Sequence, residues 1–173
     1  MKLINEGYKD VSLADMIVFY GYNDSDSVGC FRRCKDMVGS VGYKPVAVTD
    51  NSVIQMTKYK SVEEQVLVIQ KDVKKGIQLI HDFLDDEKPI IVGIEHKLGH
   101  TGNYDKTTDH WVVIVGRKTD DKGVHFLFFD PQTSHKDIGT SQKNKLTIQD
   151  DFTLKGKYRN KPYTVTMVRP VVK

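Results

Sequence analysis

His110-Trp111-Val112-Val113-Ile114-Val115-Gly116, the turn Thr119-Asp120-Asp121-Lys122-Gly123, and Val124-His125-Phe126-Leu127-Phe128-Phe129-Asp130-Pro131 follow one another in the chain. The two apolar runs are rich in β-branched and aromatic residues and too short for buried helices, so they read as buried strands. The polar turn makes them a hairpin, and Asp130-Pro131 stops the second strand. An antiparallel pair sets the start of its first strand beside the end of its second. His110 and Asp130 therefore meet at one sheet edge. Strand parity puts His110 on a face with Val112 and Ile114, and Asp130 on a face with Phe126 and Phe128. A carboxylate that closes an apolar strand needs a partner, and an imidazole N–H is a suitable one. Gly123 is where a bulge would shift the register.

Working outward, Ile90-Ile91-Val92-Gly93-Ile94 is a third buried strand and Tyr163 to Val168 a β-branched fourth. Residues 95–109 form a long polar loop with Gly99, Gly102 and Asn103, and loops of that length in compact domains are often functional. Residues 132–160 read as polar and loop-rich. Upstream, Val73, Ile77, Ile80 and Leu84 continue an amphipathic stripe begun by Val62, Val66 and Ile69. Ser61 and Glu64 have the form of a capping box before it. A helix is expected from about Val73 to Asp85, although Gly76 weakens it. Residues 43–60 lean towards β. Helices first and an antiparallel sheet after them give an α+β domain spanning 1–173.

The second informative stretch is Asp24 to Met37. Asp24, Ser25, Asp26 and Ser27 are turn and cap residues, and Gly29-Cys30 precedes Phe31, Cys34, Met37 and Val38 at helical spacing. Cys30 therefore falls in the first turn of a helix that Gly39 and Gly42 end. Unpaired N–H groups and partial positive charge there favour a thiolate. The Cys30 N–H is free to meet an oxyanion, and Asn23, seven residues earlier, is the available side-chain amide. Cys34, one turn on, reads as core.

Composition is that of an ordinary globular chain: 173 residues, 39% hydrophobic, 28% charged, net charge +3. That balance, without a basic aromatic stripe, argues against nucleic acid. No apolar run approaches the roughly 20 residues of a membrane span, so no membrane insertion is expected. Met1 to Asp15 lacks the pattern of a Sec signal. This places the protein in the cytoplasm of its producer, with export left to a dedicated secretion system. Two cysteines four residues apart on one helix make no disulfide. Glu95, His96, His100, Asp105, Asp109 and His110 invite comparison with a zinc site. Their order departs from the metalloprotease helix, and no metal or cofactor is expected.

Cysteine, then histidine, then aspartate, with the Gly-Cys helix start, the His110 strand and the Asp130-Pro131 stop, resembles the papain-like cysteine hydrolases. The bacterial variety, with double-glycine leader peptidases and cell-wall amidases, is the nearest. The likeness runs from about Asn23 to Pro131. It implies a papain-like fold, with Cys30 as nucleophile, His110 as base and Asp130 as orienting acid. Such families carry a glutamine six residues before the cysteine. Asp24 stands there, so Asn23 would act from one position further out. The resemblance further implies a peptidase or amidase acting on a peptide or on peptidoglycan, an antibacterial effector (a toxin) with an immunity or inhibitor protein as partner. A transglutaminase or deamidase, which shares the residue order and the thioester chemistry, is the second reading. A catalytically inactive binding protein is the third.

Overall fold

Six antiparallel strands close on themselves. The computed structural model describes residues 7–23, 25–26, 29–58, 67–68, 70–97 and 105–173. In chain order β1 (Val11–Ser12) precedes α1 (Cys30–Gly39). Then β2 (Lys44–Pro45), β3 (Ile54–Gln55), β4 (Thr57–Lys58) and β5 (Leu67–Val68) lead to α2 (Gln70–Asp85). After it come β6 (Ile90–Glu95), β7 (His110–Asp120), β8 (Gly123–Phe129), α3 (Lys136–Gly139), β9 (Lys145–Ile148), β10 (Leu154–Tyr158), β11 (Lys161–Arg169) and β12 (Val171–Val172). The sheet order β7-β6-β11-β10-β9-β8 is closed by β8 pairing back with β7.

The expectation of a papain-like α+β domain, with N-terminal helices packed on an antiparallel sheet, is therefore corrected: the chain is mostly β, built on a closed barrel. The stretch read as loop, 132–160, holds the two strands that complete the closure. In β9, Leu146 and Ile148 are buried between half-buried Lys145 and Thr147. In β10, Leu154 and Tyr158 are buried while Lys155 and Lys157 are exposed. A barrel strand that is covered on one face only can be half polar, and polarity hid this period of two. Arg159 and Asn160, with φ 48° and 68°, make the tight turn into β11.

The hairpin at the centre of the sequence reading is β7–β8. It is longer than expected, and its bulge lies at Val115, between the pairs Ile114–Phe128 and Gly116–Leu127. The bulge marks a change of neighbour. Before it β7 pairs with β6, and after it with β1 through Val11–Arg117 and Ser12–Gly116.

Helix α1 packs on the Trp111 side of β7, where Phe31 meets the Trp111 ring edge-on at 5.2 Å. Cys34, Met37 and Val38 are its buried residues. Helix α2 buries Val73, Ile77, Ile80 and Leu84. It runs through Gly76 because a Cβ there would lie 2.7 Å from the Met56 sulfur and 3.1 Å from Val168. The capping pair Ser61 and Glu64 lies outside the described residues.

Two histidines outside the site, His81 and His125, are buried. His81 of α2 accepts or shares a hydrogen bond with Arg117 Nη1 at 2.9 Å and stacks on Tyr8 at 3.6 Å. The wholly buried Arg117 also donates to Asp85 Oδ1 at 2.5 Å and to the Lys9 carbonyl at 3.0 Å. This guanidinium ties the segment before β1 and the end of α2 to the barrel wall. His125 bridges Thr147 Oγ1 at 3.0 Å and Asp120 Oδ1 at 2.8 Å. Among the described residues, no helix is long and apolar enough to cross a membrane.

Candidate functional site

At one rim of the barrel three neighbouring strands converge. The pairs Ile94–His110 and Val165–Ile94 bring β7, β6 and β11 side by side. Two residues beyond Ile94 stands His96, and two before Val165 stands Tyr163. The rings of His110, His96 and Tyr163 consequently meet, each pair of centroids 5.8 Å apart. The register Val113–Phe129 carries Asp130 to the same place. Asp130 Oδ1 lies 2.9 Å from His110 Nε2 and accepts the Gln132 N–H at 2.8 Å. Its Oδ2 accepts the Tyr163 hydroxyl at 2.7 Å. Its own N–H donates to the Gly139 carbonyl at 2.9 Å.

Helix α1 begins at this rim. Gly29, with φ 84° and ψ 38°, caps it in the left-handed region that a side chain would strain. Cys30 is the first helical residue and only partly exposed. The His110 ring, the Trp111 N–H and the Tyr22 hydroxyl lie around its thiol and favour its ionised form. With Nε2 turned to Asp130, Nδ1 is the His110 nitrogen left for the thiol. Asp26 pairs with Arg32 and, at 3.1 Å, with Arg33, which holds the turn before the helix.

The charges follow from these contacts. Burial alone would lower the pKa of His110, but the Asp130 charge and hydrogen bond, with Cys30 adding, raise it to about 10. Burial likewise opposes ionisation of Cys30. The hydrogen bond and charge of His110 outweigh it, helped by Trp111 and Tyr22, so the thiol ionises below its ordinary pKa. Burial pushes Cys34 well up, and the nearby Cys30 adds to it. One thiolate facing one imidazolium is the arrangement these shifts favour.

Of the four residues singled out from sequence, Cys30, His110 and Asp130 are in contact and Asn23 is not with them. Asn23 is exposed, and its Oδ1 accepts the Ser25 N–H at 3.1 Å and the Ser25 hydroxyl at 2.8 Å. Tyr22, one residue earlier, reaches the thiol instead. Its backbone N–H donates to the Pro131 carbonyl at 2.9 Å, which fixes it beside the Asp130 strand end. Tyr22, Tyr163 and His96 escaped the sequence reading. Tyr22 sat in an apparent chain breaker, and Tyr163 looked like strand core. His96 stood in the histidine and carboxylate cluster weighed for zinc. Asp109 of that cluster accepts the backbone N–H groups of His96 and Lys97, the latter at 2.8 Å, and so ties the end of β6 to the start of β7. Gly99, His100, Gly102 and Asn103 lie outside the described residues.

Tyr163 allows a direct test of the rim. Tyr163→Phe leaves the buried Asp130 Oδ2 without its donor, and unfolding in urea should show a loss of about 1–3 kcal/mol. An unchanged midpoint would mean that the hydroxyl contributes nothing there.

Comparison with protein-family models, with curated proteins and with solved structures finds no match for this chain.

Proposed function

We propose that the protein is a thiol hydrolase that cuts peptide or amide bonds at Cys30. The observation that carries this reading is the placement of Cys30, at a helix start, beside a His110 ring whose Nε2 lies 2.9 Å from Asp130 Oδ1. The Cys30 thiolate attacks a carbonyl carbon, a C–S bond forms, and the carbonyl electrons move to oxygen. The first-turn N–H of Cys30 and the Tyr22 hydroxyl are the donors nearest that oxygen. The His110 imidazolium gives its proton to the departing nitrogen as the C–N bond breaks. Water then attacks the thioester, with His110 taking a proton, and the thiolate is regenerated. Asp130 keeps the ring oriented throughout, and Tyr163 and the Gln132 N–H keep Asp130 oriented. Bacterial cell-wall peptides are the substrate we favour, on the resemblance of the Cys30, His110 and Asp130 order to that of cell-wall amidases.

Two measurements test the proposal. At pH 6.5 iodoacetamide should label Cys30 well before Cys34, read by mass mapping, because only Cys30 has a histidine and helix-terminal N–H groups beside its sulfur. Labelling of Cys34 first would move the nucleophile by one turn and end the mechanism as written. Purified peptidoglycan and a panel of peptide amides should then be digested with wild type and with Cys30→Ala. Release of new fragments by the wild type alone supports hydrolysis. Amine incorporation without hydrolysis would reassign the chemistry to transamidation.

A further inference from the structure

Beside the rim, at the end of the β10–β11 hairpin, is a recess of about 350 Å³ lined by Gln132, Tyr158, Arg159 and Lys161. It adjoins the Cys30 centre on two sides. The Gln132 N–H donates to Asp130 Oδ1. The Tyr158 ring stacks on Tyr163 at 5.9 Å, and Tyr163 in turn meets His110 at 5.8 Å. From the recess to the histidine is thus two ring spacings, a distance that three or four extended peptide residues cover.

Its lining is cationic. Tyr158 and Lys161 are cross-strand partners, and the exposed Arg159 stands in the turn between them. Among the described residues no carboxylate lines the recess, and none forms an ion pair with Arg159 or Lys161. The Lys161 charge is felt at the centre itself. Burial holds His96 below its ordinary pKa; Asp109 opposes this, while His110 and then Lys161 add to the lowering. The buried Tyr158 hydroxyl lies beside Thr133 and Arg159 but has no well-formed hydrogen bond. Burial of a hydroxyl in that state is unfavourable unless something completes it. A negatively charged group that accepts hydrogen bonds would answer Arg159 and Lys161 together.

We infer that this recess receives a carboxylate of the substrate, which makes the Cys30 centre selective for acidic peptides. The inference rests on the thiol-hydrolase reading for its consequence but not for its test. The probes are the N-iodoacetyl derivatives of glutamic acid α-amide and of glutamine α-amide, which differ only in one side-chain charge. In each case the Cys30 sulfur displaces iodide and a C–S bond forms. At pH 9 and low salt the acidic reagent should alkylate Cys30 about fivefold faster than the neutral one. The ratio should fall to about one in the Arg159→Gln, Lys161→Gln double variant, and also in wild type at about 1 M salt. The rate with plain iodoacetamide should stay unchanged in the variant, which shows that the fold and the thiol are intact. A wild-type ratio of one overturns the inference. So does a ratio that survives in the double variant, since attraction to the His110 imidazolium would then explain it. The two readings fail separately. A thiol no more reactive than free cysteine at pH 6.5 sinks the hydrolase. The charge ratio at pH 9 is read whether or not Cys30 is activated.

Discussion

Exchanging Asp130 for asparagine should markedly slow iodoacetamide alkylation of Cys30 at pH 6.5, since the thiolate fraction falls about tenfold for each unit by which the thiol pKa rises. The carboxylate is the main favourable influence that lifts His110 to about 10 against its burial. Without that charge the buried ring reverts towards neutrality and no longer holds a thiolate opposite it. Asparagine keeps the shape and keeps one acceptor for Tyr163 or His110, so the fold should survive, which a melting curve checks. The rate should be followed from pH 5 to 10. Wild type should hold its rate well below the ordinary thiol range, and Asp130→Asn should follow an ordinary thiol. Superimposable profiles would remove Asp130 from the mechanism.

The same pair sets the pH dependence of stability. His110 has its pKa raised by folding from 6.5 to about 10, so its contribution is complete below about pH 6.5 and disappears as pH rises through about 10. Cys30 has its pKa lowered from 9.0, so its contribution is present above pH 9 and is lost as pH falls through the folded value. The ion pair therefore persists between the two folded values, and denaturation midpoints should be flattest from about pH 6.5 to 9, where the loss from His110 and the gain from Cys30 offset each other.

Arg117→Ala should cost about 3–5 kcal/mol of stability, from the void it opens and the partners it leaves behind. The guanidinium is wholly buried and serves His81 Nδ1, Asp85 Oδ1 and the Lys9 carbonyl at once, while the Tyr8 ring lies 4.8 Å from it. Lysine cannot reproduce that fork. Arg117→Lys should accordingly recover only part of the loss. Urea unfolding of both variants checks this, and a loss below about 1 kcal/mol for alanine would show that the network is dispensable.

The reading of β7 and β8 from sequence reached the site because apolar strands with a polar turn leave one way to pair. Closure of the barrel was illegible for a complementary reason. Lys145, Thr147, Lys155 and Lys157 face outward between buried Leu146, Ile148, Leu154 and Tyr158, and their polarity imitates a loop. Cys30 stood out because Gly29 and the residues after it have a helix start written into them. Tyr22 and Tyr163 did not, because their hydroxyls acquire meaning only from partners brought by other strands. Asn23 illustrates the opposite error. Its amide suited an oxyanion chemically, but a short polar side chain in a turn bonds first to the backbone two residues on, here Ser25.

Closure also bears on the order in which the molecule comes into being on the ribosome. Cys30 and His110 precede β11 in the chain, and β11 must return to β6 before Tyr163 can reach Asp130. Until the tunnel has released β11, the nascent chain carries a carboxylate without its hydroxyl partner and a thiol without a settled imidazolium. Pairing β6 with β11 joins segments some seventy residues apart, among the slower kinds of contact to form. On the proposed reading, Cys30 therefore behaves as an ordinary cysteine until β11 has docked on β6.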